Sequence, residues 1–146
     1  MPAKRSGAHI LVLNDVAEIL DLFEVILSEE GYRVSRGTMI PGALNRTFQQ
    51  IKDLKPDLVI ADFLFGHDPM GWQLIQVLKM DAVTAKLPIV VCSAAAKQVE
   101  EIGAHLDEMG IGVVLKPFDI DTLLAEVGRI LARANPAEAA QPGAND

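Results

Sequence analysis

Four short apolar runs punctuate the chain: Ile10 to Leu13, Leu58 to Ala61, Ile89 to Cys92 and Val113 to Leu115. Each is continuous rather than alternating, and three of the four are rich in Val and Ile. A strand with one wet face alternates apolar and polar residues, whereas a parallel strand covered on both faces does not. The four runs therefore predict buried parallel strands. Tyr32 to Ser35 is more polar and predicts an edge strand.

Helical stripes fill the intervals. Val16, Ile19, Leu20, Phe23, Ile26 and Leu27 recur at helical spacing, and Gly31 stops them. Ile40, Leu44, Phe48 and Ile51 form a second stripe, ended by Pro56. Trp72, Ile75 and Leu78 form a third, and Val99, Ile102, Leu106 and Met109 a fourth. The fifth, Ile120, Leu123, Leu124, Val127 and Leu131, is the cleanest, with Asp119 placed as its N-cap. Five strands alternating with five helices predict an α/β domain, a doubly wound parallel sheet with helices on both faces. Right-handed crossovers leave 2-1-3-4-5 as the strand order.

Length and composition narrow the picture. The chain has 146 residues, 13 basic against 20 acidic, for a formal charge of −7. This predicts one domain over residues 8–134, flexible termini at 1–7 and 135–146, and no room for a second domain. A domain of this size needs no disulfide or metal to hold its core, and the single cysteine, Cys92, allows no internal disulfide. The acidic balance argues against a nucleic-acid partner. No apolar run approaches the roughly 20 residues of a membrane helix or forms a secretory core. The expectation is a soluble cytoplasmic protein.

Ligands of such sheets bind outside the carboxyl ends of the strands. Asn14 and Asp15 follow the first run, Asp62 the second, Ser93 the third and Lys116-Pro117 the fourth. Singly, each has an ordinary reading. Asp15 caps the first helix with Glu18 as a capping-box partner, Asp62 starts a turn, Ser93 is a loop hydroxyl and Lys116 a solvated lysine. Jointly, at one structural offset, they suit phosphoryl transfer. Two carboxylates make a site for Mg²⁺, one carboxylate can attack phosphorus, and a lysine and a hydroxyl hold the equatorial oxygens.

Together the segments ILVLND at 10–15, PDLVIAD at 56–62, PIVVCSA at 88–94 and VLKPFD at 114–119 resemble the receiver domains of two-component response regulators. The resemblance spans residues 8–134 and implies the flavodoxin-like form of the doubly wound fold. It implies that Asp62 accepts a phosphoryl group from a histidine kinase or phosphotransfer protein, without the chain being an enzyme in the ordinary sense. Asp15 and Asp62 would bind Mg²⁺ with the backbone carbonyl of Leu64, and Asn14 would hold a metal-bound water. Ser93 and Lys116 would read the phosphoryl group, and the Lys116-Pro117 bond would be cis. Output would pass to a downstream effector protein, and the family also pairs into homodimers through the last two helices.

The chain departs from the family pattern in three places. Asn14 stands where receivers carry a second acidic residue, which predicts weaker Mg²⁺ binding. Val113 stands at the aromatic switch position, so the usual coupling by a swinging ring is unavailable. The loop from Phe63 to Gly71 lacks the usual proline, and its His67 and Asp68 read as a polar tip rather than metal ligands. Leu64 and Ala95 flank the line of water attack, and neither can orient a water, which predicts slow self-dephosphorylation.

Three other readings compete. A phosphorylation-independent adaptor gains support from Asn14 and Val113 but not from the retained Asp15, Asp62, Ser93 and Lys116. An aspartate-nucleophile phosphatase would place an aspartate where Leu64 stands, and a flavodoxin-like cofactor site would place a phosphate-cradling loop where Asn14-Asp15-Val16 stands. Trp72 and Cys92 read as core, and Glu100, Glu101, Asp107 and Glu108 as a solvated helix face.

Overall fold

The computed structural model describes residues 7–14, 16–38, 43–63, 70–93, 106–115 and 119–134. Strands β1 (His9–Leu13), β2 (Arg33–Gly37), β3 (Leu58–Phe63), β4 (Ile89–Ser93) and β5 (Ile111–Leu115) form one parallel sheet in the order β2-β1-β3-β4-β5. The helices are α1 (Ala17–Glu29), α2 (Leu44–Leu54), α3 (Met70–Met80), α4 (described at 106–108) and α5 (Ile120–Ala134). This is the predicted doubly wound order.

The continuous apolar runs are explained by two cores, one on each face of the sheet. Side chains alternate across a strand. Ile10 and Val12 of β1, Leu58 and Ile60 of β3, and Val90 and Cys92 of β4 meet α1 and α5 residues such as Phe23, Leu27, Leu123 and Val127. Leu11 and Leu13, Val59, and Ile89 and Val91 point the other way, to Ile51 of α2, Leu74 and Leu78 of α3 and Leu106 of α4. Strand β2 is an edge, as its polar composition predicted, though it runs two residues further, to Gly37.

Helix ends follow local chemistry. α1 closes where Gly31, at φ 95°, lets the Tyr32 N–H turn back to the Leu27 carbonyl. α2 closes at Lys55, whose left-handed conformation precedes Pro56 and breaks the helix. Asp119 caps α5 as predicted: its Oδ1 accepts the Thr122 N–H at 2.7 Å. At α1 the expectation differs from the structure. The N-cap position falls to Val16, which has no side chain able to cap, so the Asp15–Glu18 capping box does not describe this helix start.

Candidate functional site at the carboxyl rim of the sheet

Parallel register carries the predicted residues to one edge. Leu13 pairs with Ala61, so Asn14 and Asp62 each lie one residue further along neighbouring strands. Asp62 pairs with Cys92 and Phe63 with Ser93. Ser93 in turn pairs with Leu115, the last residue of β5, and Lys116 comes next. Asp62 is a strand residue, not the start of a turn, and Ser93 closes β4 rather than opening a loop. Their backbones are held by the central ladder of the sheet, which is a rigid place to mount reacting groups.

Asp15, Leu64, Ala95, Lys116 with its bond to Pro117, and the His67–Asp68 pair lie outside the described residues. For Asp62 and Ser93 the backbone alone is described, as it is for Trp72.

Asn14 is the rim residue whose side chain is described. It has no solvent exposure. Its N–H donates to the Gly37 carbonyl at 3.1 Å, tying the end of β1 to the end of β2. Its Oδ1 accepts the Val16 N–H at 2.7 Å, an Asx turn that directs the chain from β1 into α1. Asn14 is thus a structural element as well as a rim residue. An asparagine three residues before the first helix is the sequence signal for that turn, and the metal-centred reading of the position does not include it.

On the β5 side of the rim, Asp119 is held below the usual carboxylate range by the Thr122 hydroxyl and backbone N–H, both of which donate to it. Further from the rim, the Arg129 guanidinium is raised because the Glu126 carboxylate hydrogen-bonds to it. The Lys79 ammonium is lowered by burial while donating to the Ala85 and Leu87 carbonyls at the opposite end of the sheet. Cys92 is buried and in no disulfide, and Ile75 and Leu78 occupy the core as the third stripe predicted.

The donor chemistry at the rim fits a hard divalent cation. Asp15 follows Asn14 at the end of β1, Asp62 lies at the end of β3, and β1 and β3 are hydrogen-bonded neighbours. Carboxylate and carbonyl oxygens at such a point are the ligands Mg²⁺ takes, with water filling the remaining positions. Among the described residues no group of three or more His, Cys, Asp or Glu side chains suits a metal.

A five-stranded parallel sheet in the order β2-β1-β3-β4-β5, with Asn14, Asp62 and Ser93 at the carboxyl ends of its three inner strands, is a doubly wound α/β fold whose ligand site falls at this rim. The response regulator receiver domain model matches residues 10–128, and the chain belongs to that family, which serves two-component signalling as a phosphoacceptor switch. Two curated relatives show its range. The phosphate regulon transcriptional regulatory protein PhoB of Klebsiella pneumoniae is 26% identical over 88% of this chain and 53% of its own length. The DNA-binding dual master transcriptional regulator RpaA of Synechocystis is 28% identical over 87% of this chain and 50% of its own. The chain therefore spans about half the length of these relatives. Among solved structures, a response regulator receiver protein of Sinorhizobium medicae aligns with a TM-score of 0.70 at 25% identity, covering 88% of this chain and 98% of its own. The chemotaxis response regulator CheY4 of Vibrio cholerae shares the fold, with a TM-score of 0.68 at 20% identity, over 86% of this chain and 99% of its own. Among the described residues no helix is long and apolar enough to cross a membrane.

Proposed function

We propose that Asp62 is the phosphoacceptor of a Mg²⁺-dependent switch, loaded by a histidine kinase or a phosphotransfer protein and read by an effector protein through surface contact. The observation that carries this reading is the register: Asn14, Asp62, Ser93 and the residue after Leu115 share one rim, on four strands. A carboxylate oxygen of Asp62 forms the new P–O bond as the P–N bond of a phosphohistidine breaks, and the imidazole nitrogen leaves with the electron pair. Asp15, Asp62 and the Leu64 carbonyl would hold Mg²⁺, which supplies positive charge that offsets the repulsion between two anions. Ser93 would donate a hydrogen bond and Lys116 a positive charge to the transferred group. Pairing of two copies through the α4 and α5 face belongs to the same proposal.

The test is an intact-mass measurement after treatment with acetyl phosphate and Mg²⁺. One phosphoryl group on the wild type and none on Asp62→Asn is the expected result. No gain on the wild type overturns the reading and leaves a receiver fold used as a phosphorylation-independent adaptor.

A further inference from the structure

Strand β5 lies at the edge of the sheet, so alternate backbone N–H groups point away from β4. The N–H of Val113 is one of them, and it donates to Glu126 Oε2 on α5 at 3.1 Å. The preceding residue makes the approach possible. A Cβ added at Gly112 would stand 2.5 Å from that same oxygen and 2.7 Å from Ile130 Cγ1. Such distances are too short for any side chain to share the space, so glycine is what lets the carboxylate reach the strand.

The carboxylate is itself gripped on its other side. Arg129 donates through Nε to Glu126 Oε1 at 2.9 Å and through Nη2 to Oε2 at 2.7 Å. Arg129 also approaches Asp107 Oδ1 at 3.4 Å, and Arg133 reaches that oxygen at 2.8 Å. The Glu126 side chain is only 18% exposed, unlike the other members of this chain of charges. At this point the edge of the sheet is therefore closed by a side chain of α5, in the place where a further strand would pair.

We propose that Glu126 is a positioning residue, a latch that fixes α5 to the edge strand and carries shifts of the β5 rim to the exposed side of α5. Lys116 stands three residues beyond Val113 in the same stretch of chain. A displacement of β5 by about half an ångström takes a 3.1 Å hydrogen bond beyond its useful range, so the contact has two states, made and broken. The latch needs no aromatic ring at position 113, where this chain has Val113. The latch itself is independent of the proposed phosphorylation of Asp62, whereas its coupling to the rim rests on that reading.

Amide hydrogen exchange of the full chain, resolved at Val113 and along α5, tests both parts, with phosphorylation by acetyl phosphate and Mg²⁺ followed in parallel by intact mass. In the unphosphorylated protein, Glu126→Ala is expected to lower Val113 protection by about tenfold or more. Glu126→Gln keeps an oxygen that accepts the Val113 N–H and is expected to retain most of the protection. Gly112→Ala, which displaces the carboxylate from the strand side, provides a second route to the same loss, with thermal melts showing that each variant is folded. Equal Val113 protection in the wild type and the folded variants overturns the latch. On phosphorylation, α5 protection is expected to change in the wild type and not in Glu126→Ala; the same response in both overturns the coupling. Absence of any mass gain overturns the phosphoacceptor reading and the coupling with it, and the latch then stands or falls on the unphosphorylated comparison.

Discussion

Asn14→Asp adds a third acidic residue to Asp15 and Asp62 at the rim while keeping an oxygen that accepts the Val16 N–H. A carboxylate oxygen at this position still accepts the Val16 N–H, now at 2.7 Å from Oδ1, so the turn into α1 survives. The substitution adds a negative charge and removes the amide donor of a buried side chain. Neighbouring strands lie about 5 Å apart, and at that distance one added negative charge attracts a divalent cation by about 2 to 6 kcal/mol for effective dielectrics of 80 to 20. The same charge repels Asp62 by about 1 to 3 kcal/mol when no cation is present. Asn14 is fully buried, so the added carboxylate also loses hydration. The expected outcome is two-sided. Asn14→Asp binds Mg²⁺ at least about tenfold more tightly, a net gain of about 1.4 kcal/mol, and melts several degrees lower than the wild type in metal-free buffer. Saturating Mg²⁺ closes most of that gap, because a ligand that binds the folded state alone stabilises it. Isothermal titration and thermal melts with and without Mg²⁺ read both effects. Asn14→Ala is the control: it loses the turn and gains no affinity. Equal Mg²⁺ affinity in the wild type and Asn14→Asp would refute the placement of the cation beside the end of β1.

Two further outcomes follow from the packing and from α5. Ile60→Ala, at a fully buried position of the central strand β3, is expected to cost about 2 to 5 kcal/mol in chemical denaturation; a loss below about 1 kcal/mol would contradict the packed core on the α1 and α5 face. Asp119 has a folded-state pKa below its ordinary value, held there by Thr122. Its contribution to stability is therefore present above the ordinary carboxylate value near pH 4 and is lost as pH falls through the depressed one. Denaturation from pH 7 to pH 2 should show Asp119→Ala less stable than the wild type at neutral pH and converging with it at the acid end; a pH-independent difference would mean that the charge is not part of the cap.

The legible part of this chain was the part set by periodicity and by local capping. Four apolar runs marked the three inner strands and the edge strand β5, and Asp119 marked the start of α5, because a cap is a contact between residues three apart. Strand ends were less legible. β3 continues through Asp62 and Phe63, and β5 begins at Ile111 rather than Val113, since pairing with β4 extends the ladder beyond the apolar run at both places. The ordinary reading of Asp15 as the cap of α1 fails for a related reason. Asn14, Asp15 and Glu18 suggest a capping box, but the chain leaves β1 through a turn made by Asn14, and the cap position passes to Val16.

The sequence alone determined the class of fold, the strand order and the end of the sheet at which chemistry-bearing residues gather, because side-chain periodicity records which faces are buried. Tertiary structure decided which of those residues also hold the architecture. Asn14 is buried, and its N–H is tied to the Gly37 carbonyl on the neighbouring strand. Glu126 meets the edge of β5 because Gly112, on another element, leaves the space. Contacts of this kind join residues whose separation along the chain carries no periodic signal, and only the folded chain brings them together.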